Sequence, residues 1–180
     1  MGSCPQLHLV ACHLRSLIPV VITASVLIGC DWIERFENPE SFYPTYQHAK
    51  EAGGIREGGY LPDFIPESAV DIQEIHDIDT NRTFVRFEMG ASDIDLMTEP
   101  YRAVPRSRVQ FPKTEWRERL RLSWWPESLT TDLANDPGTS VYRFFGCDRV
   151  IEYRHHTRTL PGFIAVDSGS GTVFYWCLGG

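Results

Sequence analysis

The feature that most constrains this chain is the apolar run Leu17–Ile28, which ends in Gly29-Cys30. Twelve residues are too few for a membrane-spanning helix, which needs about 20. Charge closes the run on both sides, with Arg15 before it and Asp31, Glu34 and Arg35 after it. A stretch of about 7–15 apolar residues behind a basic residue has the build of a secretory signal. Pro19, inside the run, suits a transient signal better than a permanent helix. Residues 1–29 are therefore read as a leader that is removed, 30–42 as a tether, and 43–180 as one domain large enough to bury its own core. Two other readings of the first residues are weaker. Met1-Gly2 would suit N-myristoylation, but that pattern asks for Ser or Thr at position 6, where Gln6 stands. Cys4, His8, Cys12 and His13 are metal-ligand types, but a metal site needs its ligands held in a fold.

Leu27-Ile28-Gly29-Cys30 resembles the lipobox of bacterial lipoproteins, with Leu at −3, a tolerated Ile at −2, a small residue at −1, and then Cys. One departure is the single cation, Arg15, ahead of the run, where that class carries two or three. The resemblance implies that Cys30 takes a thioether-linked diacylglycerol, that cleavage falls before it, and that its new amino group is acylated. One acyl chain holds a protein to a bilayer only marginally, whereas two or three hold it stably. The implied address is the extracytoplasmic face of the cell membrane, periplasmic in a Gram-negative cell. Asp31 directly after the cysteine resembles the inner-membrane retention signal of some lipoproteins of such cells.

Charge and cysteine use agree with export. The formal net charge is −7, and loss of the leader, whose only charged side chain is Arg15, makes the remainder one unit more acidic. Such a balance disfavours nucleic acid and anionic lipid as partners. Of the five cysteines, Cys147 and Cys177 are left once the leader is gone and Cys30 is modified. An even pair in an oxidising compartment reads as a disulfide. Closing that loop would add about 3–4 kcal/mol.

The domain reads as α+β: an antiparallel sheet of five or six strands with one or two short helices on one face. Tyr43–Ala52 has a short helical pattern stopped by Gly53-Gly54. Ala69–Ile75 and the alternating Thr83, Val85 and Phe87 read as a β-hairpin with Asp79-Thr80-Asn81 at its tip. Ser92–Thr98 reads as a helical turn capped by Ser92. Glu99–Pro112 reads as loop, and Thr114–Leu122 as a short helix, with an edge strand as the alternative, that ends at Trp124-Trp125-Pro126. Val141–Phe145, Val150–Tyr153, Phe163–Val166 and Val173–Trp176 read as strands, with Asp167–Gly171 as the last hairpin loop.

Gly59-Tyr60-Leu61-Pro62, Ile65-Pro66, Ser68-Ala69 and Ile72, followed by His76-Asp77, Asp79, Thr80 and Asn81, form a distinctive segment. It resembles a family of small bacterial envelope proteins without an assigned activity. The resemblance implies an envelope location and one compact domain, and implies nothing about substrate.

His76, Asp77, Asp79 and Asn81 are the candidate functional cluster. Asp77-x-Asp79-x-Asn81 with Glu88 at the twelfth position mimics a calcium loop. That loop needs Gly at its sixth position and flanking helices, and here Arg82 and strand patterns stand instead. Asp and Asn capping their own turn is the simpler account. A triad of Ser68, His76 and Asp77 lacks a nucleophile elbow. His155 and His156 are chain neighbours on an extended segment, so they point to opposite sides. Ser168–Gly171 lacks the Lys and the following helix of a phosphate loop. Trp116, Trp124 and Trp125 are candidates for stacking on a sugar ring, with core packing as the default. No metal or cofactor is expected. Three functions stay open: a non-enzymatic binding or scaffolding lipoprotein with an envelope-protein or glycan partner; an envelope hydrolase using His76, Asp77 and Asp79; and a small-ligand or glycan binder with an aromatic cleft at Trp124 and Trp125.

Overall fold

Alternating side chains in two hairpins set the sheet around which the protein is built. A computed structural model describes residues 38–55, 59–130, 141–153 and 156–179. The apolar run at 17–28, Cys30, most of the tether, residues 131–140 and His155 lie outside them. Strands β2 (Val70–Asp77) and β3 (Arg82–Glu88) form the first hairpin. Its register shifts at a bulge between Val70 and Gln73, where Asp71 takes a left-handed φ of 50°. Aspartate tolerates that conformation better than most residues. Strands β8 (Gly162–Asp167) and β9 (Thr172–Cys177) form the second hairpin. The two hairpins join through antiparallel β3 and β9. Strand β1 (Glu40–Thr45) pairs outside β2, strand β5 (Tyr142–Gly146) pairs outside β8, and the two-residue β4 (Arg102–Ala103) closes the far edge. The order is β1-β2-β3-β9-β8-β5-β4, all antiparallel. Strands β6 (Arg149–Tyr153) and β7 (His156–Leu160) form a separate ribbon.

Leaving β4 aside, the sheet reads the same outward from either side of the β3–β9 pair. The turns repeat as well. Asp77 Oδ1 accepts from the backbone N–H of Asp79 (3.0 Å) and Thr80 (3.1 Å), and the loop ends in Asn81 at φ 57°. Asp167 Oδ1 accepts from Gly169 (2.9 Å) and Ser170 (3.3 Å), and that loop ends in Gly171 at φ 77°. In each, an aspartate side chain stands in for a turn carbonyl, and a residue tolerant of positive φ returns the chain to the sheet.

Both faces of the sheet are covered. On the first face Val85, Phe87, Ile164, Val173 and Tyr175 pack with Ala49 of α1 (Tyr46–Glu51), with Leu61 and Ile65, and with Ile94 of α2 (Ala91–Thr98). On the second face Ile75, Phe84, Phe144, Phe163, Phe174 and Trp176 meet Val109, Phe111, Leu120, Leu122, Trp125 and Leu129. This second layer carries α3 (Thr114–Arg119) and 3-10 turns at Arg106–Arg108 and Glu127–Leu129. Double coverage explains why β9 (TVFYWC) is buried at all six positions and does not alternate. Trp125 and Trp176 lie edge to face at 5.7 Å, a geometry worth about 0.5–1.5 kcal/mol beyond area burial. Trp176 Nε1 donates to Gln110 O (2.8 Å) and fastens the second layer to the central strand.

The α+β class and its antiparallel sheet are as expected. The differences have local causes. Among the described residues the main sheet has seven strands where five or six were expected. Glu40–Phe42, expected in the tether, open β1. Pro44 obscured that strand, but an edge strand tolerates a missing N–H on its open side. Helix α1 starts three residues later than expected, with Thr45 Oγ1 accepting from His48 N (3.4 Å). Gly90, not Ser92, is the cap of α2, and Ser92 Oγ donates to Asp93 (3.3 Å). Helix α3 lies in the second layer, so helices occupy both sides of the sheet.

Candidate functional site

Strand register places one lateral row of side chains across the first face. His76 of β2 pairs with Thr83 of β3, Thr83 with Cys177 of β9, and Cys177 with Gly162 of β8. Cys147, the residue after β5, donates its N–H to Gly162 O (2.8 Å) and ends the row. Laterally paired residues in a sheet share a face. Glu74 lies two residues before His76, on that same face. The His76 Nδ1–H donates to Glu74 Oε1 at 2.6 Å, and both residues are buried. Such a bond fixes the orientation of the imidazole ring. Tyr60 stacks on that ring with a centroid separation of 3.2 Å and 10° between the planes. Arg149, from β6, donates to Thr83 Oγ1 (2.8 Å) and to Gly59 O (3.3 Å). The cluster therefore clamps the Gly59–Tyr60 segment and the β6–β7 ribbon onto one end of the sheet.

The expected cluster divides across the sheet. His76 faces the first layer, whereas Asp77 faces the second. Asp77 Oδ1 serves the hairpin turn, and its Oδ2 lies 3.6 Å from Arg82 and 3.4 Å from Arg119 of α3. Asp79 is exposed at the hairpin tip, Asn81 supplies the left-handed residue of the turn, and Ser68 is exposed ahead of β2. Asp77 is thus spent on turn and ion-pair bonds. The carboxylate that partners His76 is Glu74, together with Tyr60, Thr83 and Arg149. The signal for Glu74 was the two-residue spacing of a strand. Tyr60 and Arg149 come from segments that only the tertiary fold brings close.

The expected disulfide is corrected, because Cys147 and Cys177 are both free thiols. Strand β8 runs between them, with Gly162 paired to one and bonded to the other. Two strand spacings separate their Cα atoms by roughly 9–10 Å, and a disulfide needs about 4.4–6.8 Å. Burial pushes the Cys147 thiol up to about 12, a rise that a hydrogen bond with Tyr101 only partly offsets. Burial also raises Cys177, against a hydrogen bond from the Gly179 backbone. Both thiols stay protonated at neutral pH, which is the unreactive form.

The tryptophans are committed to packing. Trp125 is buried in the second-face core, and its Nε1 donates to Leu129 O (3.3 Å). Trp124 is half-buried, with its Nε1 donating to Glu40 Oε1 (3.0 Å). Trp116 lies under the Arg82 guanidinium, 4.1 Å from the ring centroid. Among the described residues no group of three or more His, Cys, Asp and Glu has a metal-holding arrangement. None of their helices is long and apolar enough to cross a membrane. Chemically, the row offers one oriented carboxylate–imidazole pair. Its neighbours Thr83 and Cys177 are fully buried.

The family model described as the YbbD head domain matches residues 37–88, a span that takes in β1 through β3 together with Tyr60, Glu74 and His76. This part of the chain is similar to that bacterial envelope-protein family. No curated protein and no solved structure matches the chain.

Proposed function

We propose that this chain is a bacterial envelope lipoprotein, held to the membrane through lipid on Cys30, whose folded domain binds or scaffolds another envelope component. The observation that carries the reading is the match to the YbbD head domain, which begins seven residues beyond the lipobox cysteine. The apolar run, the small residue before Cys30 and the first strand at Glu40 support the same layout of leader, short tether and domain. A binding role, with a protein or glycan partner, is supported by how the polar groups are used. Asp77 and Asp79 do not converge with His76, and the Glu74–His76 pair is closed over by Tyr60. The test is incorporation of radiolabelled palmitate in cells producing the wild type or Cys30→Ala. Label in the wild type and none in the variant is expected. Equal label in both removes the tether from the account.

A further inference from the structure

The summed charge of this protein hides an opposition between its two covering layers. Over the first face, the described residues of 46–69 and 91–99 carry six acidic side chains and one basic one, Lys50. Over the second face, residues 104–130 carry six basic and three acidic side chains. Arg108, Lys113, Arg119 and Arg121 of this second layer are exposed. The Lys113–Glu115 pair (3.5 Å) is exposed at both side chains. Exposed pairs of this kind are worth at most about 1 kcal/mol, so a better anionic partner can draw the cation away. Trp116 sits half-buried in the same layer, with the Lys113 ammonium 5.9 Å from its ring.

A second observation concerns where the chain enters this domain. Glu40, at the start of β1, accepts the Trp124 indole bond, so the described chain begins beside Trp124 of this layer. Eight residue steps from Cys30 to Asn38 span at most about 29 Å when fully extended. A lipid on Cys30 would keep Asn38 within that distance of the bilayer and so hold the domain near it at a high effective concentration.

We infer that the layer over the second sheet face, through exposed Arg108 and Lys113, docks on a bilayer containing anionic phospholipid. The inference deepens the reading of Cys30 as a lipid anchor and gives the tethered domain an orientation, with its basic layer toward the membrane and its acidic layer away from it. Net charge alone pointed the other way, but an anionic surface responds to cations within a Debye length of about 8–10 Å, which is less than the thickness of the domain.

The test uses the full chain carrying Cys30→Ala, cosedimented with phosphatidylcholine vesicles or with vesicles of phosphatidylcholine and phosphatidylglycerol in equal parts. Every variant shares residues 1–29, so any binding by that segment is common to all. Tighter binding to the anionic vesicles is expected, and it is expected to weaken with salt. Arg108→Glu should weaken the anionic-dependent part about fivefold or more. Lys50→Glu makes the same change in net charge on the opposite layer and should leave binding unchanged. Equal binding to both vesicle types overturns the inference, as does an equal loss in the two variants. Failure of palmitate incorporation at Cys30 would strike the anchor and leave the vesicle result standing, so the two failures are distinguishable.

Discussion

At the scale of single residues, the most consequential finding is that His76 is oriented by Glu74 and not by its chain neighbour Asp77. Adjacent residues on a strand point to opposite faces, and residues two apart share one. The sequence showed the histidine and the acids but not the register, so His76 was legible as a special residue while its partner was misassigned. Because Glu74 is almost fully buried, removing its imidazole partner leaves a buried carboxyl without its hydrogen bond. His76→Ala is expected to destabilise the fold by about 1–3 kcal/mol. Glu74→Leu/His76→Leu, which removes both hydrogen-bond partners, should cost clearly less. Urea titrations of the variants measure the difference, and an equal cost would mean that the pair carries no special weight. Asp167 gives a pH signature. Slight burial works against its carboxylate, but the bonds from the Ser170 side chain and from the Gly169 and Ser170 backbone prevail and hold it below the usual carboxylate range. A lowered pKa stabilises the fold above the unfolded value of about 3.9, and that stability is lost as pH falls through the folded value. Asp167→Asn should therefore melt below the wild type at neutral pH, with the gap closing in acid.

At the scale of elements, the two hairpins and the last strands were legible because their alternation and turn chemistry are local. The Asp-to-Asn81 and Asp-to-Gly171 loops are visible in the sequence as turn residues between apolar runs. Strand β1 was hidden by Pro44, and β7 (HTRTL) by its polar composition, which reflects a ribbon outside the main sheet. The cysteine pairing failed at this scale too. Cys147 and Cys177 do lie at strand ends, but β8 intervenes, and no local pattern gives strand order. Gly162 marks the same place. A Cβ there would stand 2.0 Å from Cys147 O and 3.2 Å from the Tyr175 ring. Gly162→Ala should break the bond between Cys147 and β8 and destabilise the fold by more than the roughly 1 kcal/mol usual for a point substitution. Hydrogen exchange would report it as faster exchange at Cys147 and through β5, with β2 and β3 less affected.

At the scale of the whole molecule, residues 38–180 form one compact unit. A doubly covered sheet supplies its stability, and its two covers differ in charge. The fold class was legible because strand and helix patterns are periodic. The charge opposition was not, because which segment covers which face is settled only by packing. On the proposed reading, what the protein does depends on where this unit is held, and that turns on Cys30. The most direct measurement is mass spectrometry of the amino-terminal peptide of the protein recovered from the bacterial membrane fraction. The account predicts a peptide that begins at Cys30 and carries a thioether-linked diacylglycerol. An unmodified Cys30 in a chain that still contains Leu17–Ile28 would contradict it.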